Sequence, residues 1–257
     1  MVARNLRILF LLLILLCVAV GTWLDRVYTT SWETPLLVAL YPINADGTSA
    51  TDTYIEKLQE SQFQTLERFF DEERRQYDVP LDNPVRFTLA PALHDRPPRL
   101  GNRPNVLQIM FWSLRLRWWA KFSVPAPPGP TPRIRLFLMY HDPARTAVLN
   151  HSIGLQKGLV GVVNLFADKQ MNGSNDSVIA HEFLHTLGAT DKYDPATDLP
   201  LYPVGYAEPN RKPLYPQDYA ELMAGRIPIS PNDARTPTSL DQVIVGPATA
   251  VEIGWQK

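Results

Sequence analysis

Residues 180–194, AHEFLHTLGATDKYD, restrict the fold of this chain more than any other segment. His181 and His185 are four residues apart, so on an α-helix they lie on one face, one turn apart. Gly188 comes three residues later and allows the chain to leave the helix in a sharp turn. The apolar run at residues 159–166 precedes the segment and is typical of a buried strand. The sequence therefore predicts a strand, a short helix and a glycine turn in succession.

The same segment carries residue types that bind metal. Two imidazole nitrogens at this spacing can hold one Zn²⁺, each at about 2.0–2.1 Å. Glu182 follows the first histidine and can reach a water molecule on the metal without binding the metal itself. Asp191, three residues after the glycine, can return a carboxylate to the metal. We therefore expect His181, His185 and Asp191 to be zinc ligands and Glu182 to be a general base. Three protein ligands and a fourth position open to water are typical of a catalytic zinc site.

Other interpretations of these carboxylates remain open. Asp191 can also be a solvated loop residue that makes local turns or binds calcium together with Asp194 and Asp198. Glu221 is a rival third ligand, as in zinc peptidases whose third ligand is a more distant glutamate. Glu208 suits this role less well, because it precedes a proline and is therefore disfavoured inside a helix.

At residues 181–191 the chain resembles the metzincin group of zinc metallopeptidases. It is most similar to the snapalysin-like branch, which has aspartate where most members have a third histidine. The resemblance implies an α+β fold: a mixed sheet with a long packing helix, an active-site helix and a C-terminal helix, here residues 247–255. It also implies a methionine turn beneath the metal, for which Met223 is the candidate, with a plain core methionine as the alternative.

The resemblance leaves one part of the site undefined. Astacin-like members have a tyrosine two residues after the methionine, where this chain has Gly225. The tyrosine that approaches the metal is therefore open among five candidates: Tyr193, Tyr202, Tyr206, Tyr215 and Tyr219.

These residues predict a zinc-dependent endopeptidase that hydrolyses peptide bonds with a metal-held water activated by Glu182. Residues 159–166 are a candidate edge strand to which an extended peptide substrate adds. Two alternatives stay open. One is a membrane-anchored binding or assembly protein with a non-catalytic zinc site, and the other is a metal-dependent hydrolase of a non-peptide amide.

The first 24 residues differ from the rest of the chain. Arg4 and Arg7 precede a run from Ile8 to Leu24 that contains no charge, which is typical of a signal anchor or a cleaved signal peptide. We interpret residues 1–24 as this segment, 25–35 as a tether and 36–257 as the catalytic domain. The arginines before the run place the domain outside the cytoplasm, facing the periplasm from a bacterial inner membrane, or secreted if the segment is cleaved.

The remaining patterns predict secondary structure. Residues 36–43, 85–90 and 134–140 are typical of strands, and residues 51–77 of one long amphipathic helix. Residues 105–122 are ambiguous between helix and strand. We expect a helix whose stripe of Leu107, Phe111, Leu114 and Trp118 packs on the sheet with its arginines outward, and a membrane-surface helix is the alternative. The formal net charge of −1 gives no indication of a nucleic-acid partner.

Overall fold

The structure, a computed structural model, describes residues 2–101, 105–127, 129–149, 151–156 and 158–256. Met1 and Lys257, the outer limits of the predicted segments, lie outside the described residues.

The described residues form six α-helices, short 3₁₀ turns and eleven strands. The helices are α1 (Val2–Thr30), α2 (Ser49–Glu56), α3 (Gln64–Glu73), α4 (Val106–Phe122), α5 (Asn172–Leu187) and α6 (Pro247–Glu252). The strands are β1 (Leu36–Asn44), β2 (Val85–Leu89), β3 (Ile134–His141), β4 (Ile153–Leu155), β5 (Val160–Phe166), β6 (Tyr193–Asp194), β7 (Leu199–Pro200), β8 (Ala220–Glu221), β9 (Ile227–Ser230), β10 (Asp233–Arg235) and β11 (Val243–Ile244).

A five-stranded mixed sheet organises the fold, in the order β2-β1-β3-β5-β4. Strands β2, β1, β3 and β5 are parallel, and β4 pairs antiparallel with β5. The prediction of a mixed α and β fold is confirmed, as are the predicted strands β1, β2 and β3. The prediction that residues 159–166 form an edge strand is wrong, because β5 lies between β3 and β4. Strand β4 occupies the edge, and its three residues are too few to show an alternating pattern.

Helices cover both faces of the sheet, so its strands are almost continuously apolar. On one face α3 and α5 build the main core, where the rings of Phe70 and Phe183 meet at 5.1 Å between centroids. On the other face α4 buries Trp112, Leu116 and Ala120 against the strands. The protein is therefore a mixed α/β structure with the sheet as its middle layer.

The single long helix predicted for residues 51–77 is wrong. Helix α2 ends at Glu56, a 3₁₀ turn spans Glu60–Phe63, α3 follows, and a second 3₁₀ turn spans Arg74–Tyr77. The break has a local cause. The side chains of Gln59 and Gln62 each accept a hydrogen bond from the backbone N–H of the other residue. This capping box starts the 3₁₀ turn that leads into α3. The apolar spacing was nevertheless informative, because Phe63, Leu66 and Phe70 are all buried.

Helix α4 confirms the helical interpretation of residues 105–122, but the predicted inward stripe is wrong. Leu107, Phe111, Leu114 and Trp118 are exposed, whereas Trp112, Leu116 and Ala120 are buried against the sheet. Both faces of this helix are apolar, so periodicity could not choose between them. The indole of Trp112 settles the rotation, since its Nε1 donates to the carbonyl oxygen of Pro98 at 2.7 Å.

Helix α1 contains the predicted apolar segment, and from Asn5 to Thr30 it is long and apolar enough to cross a membrane or to be a signal sequence. The predicted tether is helical to Thr30 and then buries Trp32, whose Nε1 donates to the carbonyl oxygen of Ile253 at 2.8 Å. Asp25 also pairs with Arg133 at 2.6 Å. The end of α1 is therefore attached to the domain by specific contacts.

Candidate metal centre

Helix α5 carries the two histidines, and specific residues define both of its ends. In its first turn the Asn175 side chain accepts from the backbone N–H of Phe166 and donates to the carbonyl oxygen of the same residue, at 3.1 and 2.9 Å. At its other end Gly188 adopts φ = 109°, the left-handed conformation predicted for the glycine turn. Phe183 and Leu187 bury one face of the helix in the core. The opposite face carries the histidines.

Both imidazole rings are oriented by backbone carbonyls. Nδ1 of His181 lies 2.9 Å from the carbonyl oxygen of Leu222, and Nδ1 of His185 lies 2.9 Å from that of Ala189. A carbonyl oxygen can only accept, so each Nδ1 carries the proton. Each Nε2 then presents a lone pair, which is the tautomer that metal-binding histidines use.

Asp191 lies opposite both lone pairs. Its Oδ1 is 3.2 Å from Nε2 of His181 and 3.1 Å from Nε2 of His185. Burial alone would raise the pKa of Asp191, but the two histidines hold it well below its usual value. Burial lowers the pKa of His181, yet Asp191 and Glu182 together leave it raised. Two lone pairs and a carboxylate oxygen at these distances repel one another, and a shared proton or a metal ion between them would relieve that repulsion.

The donor set fits a divalent metal. Ligand atoms about 2.1 Å from a tetrahedral ion lie about 3.4 Å from one another, close to the 3.1 and 3.2 Å separations found here. His181, Glu182 and His185 form a group whose ligand atoms all lie within 4.8 Å of one another and that could hold a metal ion. Asp191 is outside that group of three, but its Oδ1 is nearer to both Nε2 atoms than this limit. The set of two nitrogens and one carboxylate oxygen leaves one tetrahedral position open.

Glu182 is buried beside the histidines, and its Oε2 has no hydrogen-bond partner among the described residues. Burial raises the pKa of this carboxyl group, while the two histidines act in the opposite direction. An unpartnered buried carboxylate oxygen is costly unless a water molecule or a ligand completes it. Glu182 therefore retains a free acceptor beside the candidate metal position.

The edge strand β4 lies directly against this part of α5. A Cβ atom on Gly154 would stand 2.5 Å from both the carbonyl oxygen of Glu182 and Cβ of His185. A glycine is therefore required for the strand to approach the helix this closely. Sequence reasoning missed Gly154, because a lone glycine in a segment without periodicity carries no functional signal.

A second cluster holds the chain on both sides of Asp191. Lys192 Nζ donates to Glu252 Oε2 at 2.7 Å and to the Thr190 carbonyl at 2.8 Å, and the side chain of Lys192 is buried. Thr190 donates to Glu252 through its backbone N–H and its hydroxyl, at 2.9 and 2.7 Å. The partner on α6 is 60 residues away from Lys192, and no local sequence pattern predicts a contact over that separation.

The predicted methionine turn lies next to the histidines. Met223 is fully buried and its carbonyl oxygen accepts from the backbone N–H of Lys192 at 2.9 Å. The preceding residue, Leu222, supplies the carbonyl that orients His181. The turn is tight, because the N–H groups of Ala224 and Gly225 both donate to the carbonyl of Glu221 at 3.0 Å. Met223 therefore lies in a turn that contacts both the first histidine and the segment after Asp191.

The rival carboxylates are engaged elsewhere. Glu221 accepts from Thr249 Oγ1 at 2.6 Å, and it also accepts from the backbone N–H groups of Gly246 and Ala224. Both of its oxygens are therefore used away from the histidines. Asp194 and Asp198 belong to the β6–β7 turn, where Asp194 accepts from the N–H of Ala196 and Asp198 faces Arg226.

Of the five candidate tyrosines, Tyr193 lies at the site. Its ring centroid is 6.5 Å from that of His181, and burial followed by the charges of Asp191 and Glu182 raises its pKa. Tyr206 and Tyr215 are joined to each other through their hydroxyls at 2.7 Å, and the ring of Tyr202 packs edge-to-face against that of Tyr206.

Comparison with known proteins adds no identification. No protein-family model matches the sequence, and no curated protein is significantly similar to it.

A cavity of about 190 Å³ opens beside His181 and Glu182. Its lining is mainly apolar and comes from α5, the turn before Met223 and the segment that leads to α6. The lining side chains include Val178, Leu222, Tyr193, Pro237 and Val243. The cavity can receive an apolar group of a molecule whose polar part lies at the histidines.

Proposed function

We propose that the protein is a zinc-dependent endopeptidase. The observation that carries the proposal is the convergence of His181, His185 and Asp191 beside Glu182, whose buried Oε2 has no partner among the described residues. A purely structural zinc site is closed by four protein ligands. Here three ligand atoms leave one position open next to a carboxylate that can act as a base. The mixed sheet, α5 and the turn at Met223 further support a metzincin-type, snapalysin-like assignment.

The chemistry follows from the positions of these side chains. His181, His185 and Asp191 would hold the ion, which when bound acidifies water and polarises a carbonyl group. Glu182 takes a proton from the attacking water and delivers it to the departing amine nitrogen. Burial supports this role, because it raises the pKa of Glu182 and makes the carboxylate a stronger base. The Nδ1 hydrogen bonds of the two histidines keep their Nε2 atoms directed at the ion.

A polypeptide substrate is favoured by two features. Strand β4 pairs with β5 on one side and with no described strand on the other, so an extended peptide can hydrogen-bond to its free edge. Gly154 brings this edge against Glu182. A peptide bound at this edge lies next to Glu182, the proposed base, and can place an apolar side chain in the adjacent cavity. A strand edge binds its ligand through hydrogen bonds to an extended peptide backbone, which polypeptides have and small amides lack.

We also propose that α1 anchors the protein, with the domain outside the cytoplasm. Arg7 precedes the apolar run, and α1 continues without a break through Asp25, which pairs with Arg133. Trp32 follows two residues after the end of α1 and donates to the carbonyl oxygen of Ile253. An anchor that is built into the domain in this way supports retention over cleavage. The basic residues before the run favour this orientation, and protease accessibility in oriented membrane vesicles tests it.

The deciding experiment uses the full chain in nanodiscs and measures zinc per chain and peptide cleavage together. Wild type is expected to hold about one zinc and to cleave an unstructured polypeptide. Asp191→Ala is expected to lose most of the zinc. Glu182→Gln is expected to keep the zinc and to lose cleavage by a factor of about 10²–10⁴.

The other outcomes contradict the proposal in distinct ways. Zinc retained in Asp191→Ala would remove Asp191 from the ligand set. Zinc bound by wild type without cleavage of any polypeptide would favour a binding protein with a non-catalytic site. Cleavage of small amides alone would favour a non-peptide hydrolase.

A further inference from the structure

Helix α4 exposes a continuous apolar stripe that the proposed peptidase does not use. Leu107, Phe111, Leu114, Trp118 and Phe122 are between 55 % and 76 % exposed. They follow one another at intervals of three and four residues, so they form a single face along the whole helix. The opposite face packs on the sheet through Trp112, Leu116 and Ala120. A helix that is apolar on both faces is not typical of a water-exposed position.

The stripe lies in the most basic part of the chain. Between Asp95 and Asp142 the sequence contains no acidic residue and eight basic ones: Arg96, Arg99, Arg103, Arg115, Arg117, Lys121, Arg133 and Arg135. The rest of the chain therefore has 17 of the 25 basic residues and all 26 acidic ones. The near-neutral total conceals this separation. A basic, aromatic-rich helical face favours an anionic surface with an apolar interior.

The C-terminal end of α4 is connected to the base of α1 through the start of β3. Arg135 donates to the carbonyl oxygen of Ala120 in α4. Two residues earlier, Arg133 pairs with Asp25 at 2.6 Å and lies over the ring of Tyr28, 4.2 Å from its centroid. Trp118, Lys121 and Phe122 are therefore at the end of α4 that these contacts connect to the C-terminal end of α1.

A cavity of about 260 Å³ lies beside the stripe, with Arg99 and Arg115 in its lining together with Phe111 and Trp112. Two guanidinium groups next to aromatic rings provide donors for a phosphodiester and apolar surface for the chain attached to it. This combination matches a phospholipid headgroup.

We propose that the exposed face of α4 contacts an anionic phospholipid bilayer, the one that α1 crosses. A second copy of the chain suits the face less well, because a symmetric pairing of two α4 helices would bring Arg115 and Lys121 against like charges. Nucleic acid would pair with the arginines and leave the apolar stripe in water. A bilayer satisfies both features, since its phosphates meet the basic groups and its hydrocarbon boundary meets Phe111, Leu114 and Trp118.

The test uses the full chain in nanodiscs of phosphatidylcholine with one quarter phosphatidylglycerol. Cys17 is the only cysteine, so a spin label on it reports α1 directly. In a Cys17→Ser background, Leu114→Cys and Trp118→Cys report the stripe, and Arg68→Cys, exposed on α3 at the other face of the sheet, is the control. Accessibility to oxygen, which concentrates in lipid, is compared with accessibility to a water-soluble nickel chelate.

The ratio of oxygen to nickel accessibility is expected to be at least about fivefold higher at 114 and 118 than at 68. It is expected to fall in pure phosphatidylcholine, and an unchanged ratio there would overturn the role given to the basic residues. Labels at 114 and 118 that are as water-accessible as the label at 68 would overturn the proposal. Labels protected from both reagents would assign the face to a protein partner instead. A water-accessible label on Cys17 would show that α1 does not cross the bilayer. That result would overturn the membrane contact proposed for α4 without affecting the peptidase proposal.

Discussion

Lys192 and Glu252 form an ion pair of 2.7 Å that holds the residue next to Asp191. Burial acts to raise the pKa of Glu252, but hydrogen bonds from Lys192 and Thr190 leave it lowered. Because Thr190 and Lys192 are the two neighbours of Asp191, this pair fixes the direction in which the Asp191 carboxylate leaves the chain. A contact between α6 and the segment after α5 thus supports the candidate ligand set.

Glu252→Gln is expected to weaken metal binding by about 10- to 100-fold, as substitutions of groups that orient metal ligands do. The amide cannot pair with Lys192 as a carboxylate does, so Asp191 loses its support while all three candidate ligands remain. The dissociation constant for zinc, measured by competition with a chelator, checks this.

The matched control is Glu72→Gln, which removes the same charge from an exposed position on α3 and is expected to leave the constant unchanged. Equal zinc affinity in Glu252→Gln and wild type would show that Asp191 does not depend on this ion pair.

Gly154→Ala is expected to lower both stability and zinc affinity. The added methyl group would meet the Glu182 carbonyl and His185 Cβ at 2.5 Å, so β4 or α5 must shift. Overpacking of this kind costs about 1–3 kcal/mol. Thermal unfolding and zinc titration measure the two effects. Gly101→Ala serves as the control, because a Cβ there meets nothing within 4 Å. Equally small losses of stability and zinc affinity in both variants would refute the close approach of β4 to α5.

Glu73→Gln is expected to make the stability of the domain less dependent on pH. Burial raises the pKa of Glu73 to about 7, although its carboxylate accepts from the backbone N–H of Val245 at 2.6 Å. The pKa in the unfolded chain is lower, near the ordinary carboxyl value of 4.5, so the contribution of Glu73 to stability is fully present below that pH. It is lost as the pH rises through about 7.

The variant is therefore expected to be more stable than wild type at pH 8, by about 1–3 kcal/mol, and to lose this advantage towards pH 5. Chemical denaturation at both pH values measures the difference. Asp176, whose pKa burial also raises to about 7, contributes equally to both proteins and cancels. A constant difference between the two proteins at both pH values would contradict the assignment.

Val178→Phe is expected to change substrate selection without removing the metal. Val178 lines the cavity beside His181 and Glu182, and the larger ring would occupy part of its volume. Cleavage of peptides with a large apolar residue next to the scissile bond should fall by at least about tenfold, whereas peptides with alanine there should be less affected. Val148→Phe, at an exposed loop position, is the control. A uniform loss across both peptide classes would place the cavity outside the binding path.

The candidate site was largely predictable from the sequence, because its chemistry is local. His181, Glu182 and His185 lie on one turn of a helix, and Gly188 ends that helix in the predicted conformation. The order of strand, helix and turn therefore places these side chains together without the help of any distant contact. Asp191 was expected at the histidines for the same reason, and its Oδ1 lies within 3.2 Å of both.

Longer-range features were not predictable. Strand β4 has only three residues, and its place at the sheet edge depends on pairing with β5 rather than on its own pattern. The side of α4 that faces the sheet also had no sequence signal, since both sides are apolar. The interruption between α2 and α3 is caused by the capping box at Gln59 and Gln62. The apolar spacing continues across this box without a gap, so the spacing did not indicate the break.

The helical turn shared by the two histidines, the apolar strands and the membrane-length helix all follow from local sequence patterns. These properties depend on periods of two and 3.6 residues and on local turn chemistry. The contact of Lys192 with Glu252, the approach of Gly154 to Glu182 and the outward orientation of the α4 stripe are seen only in the folded protein. Those contacts join residues many positions apart, and they arise from the packing of whole elements, whose outcome no single segment encodes.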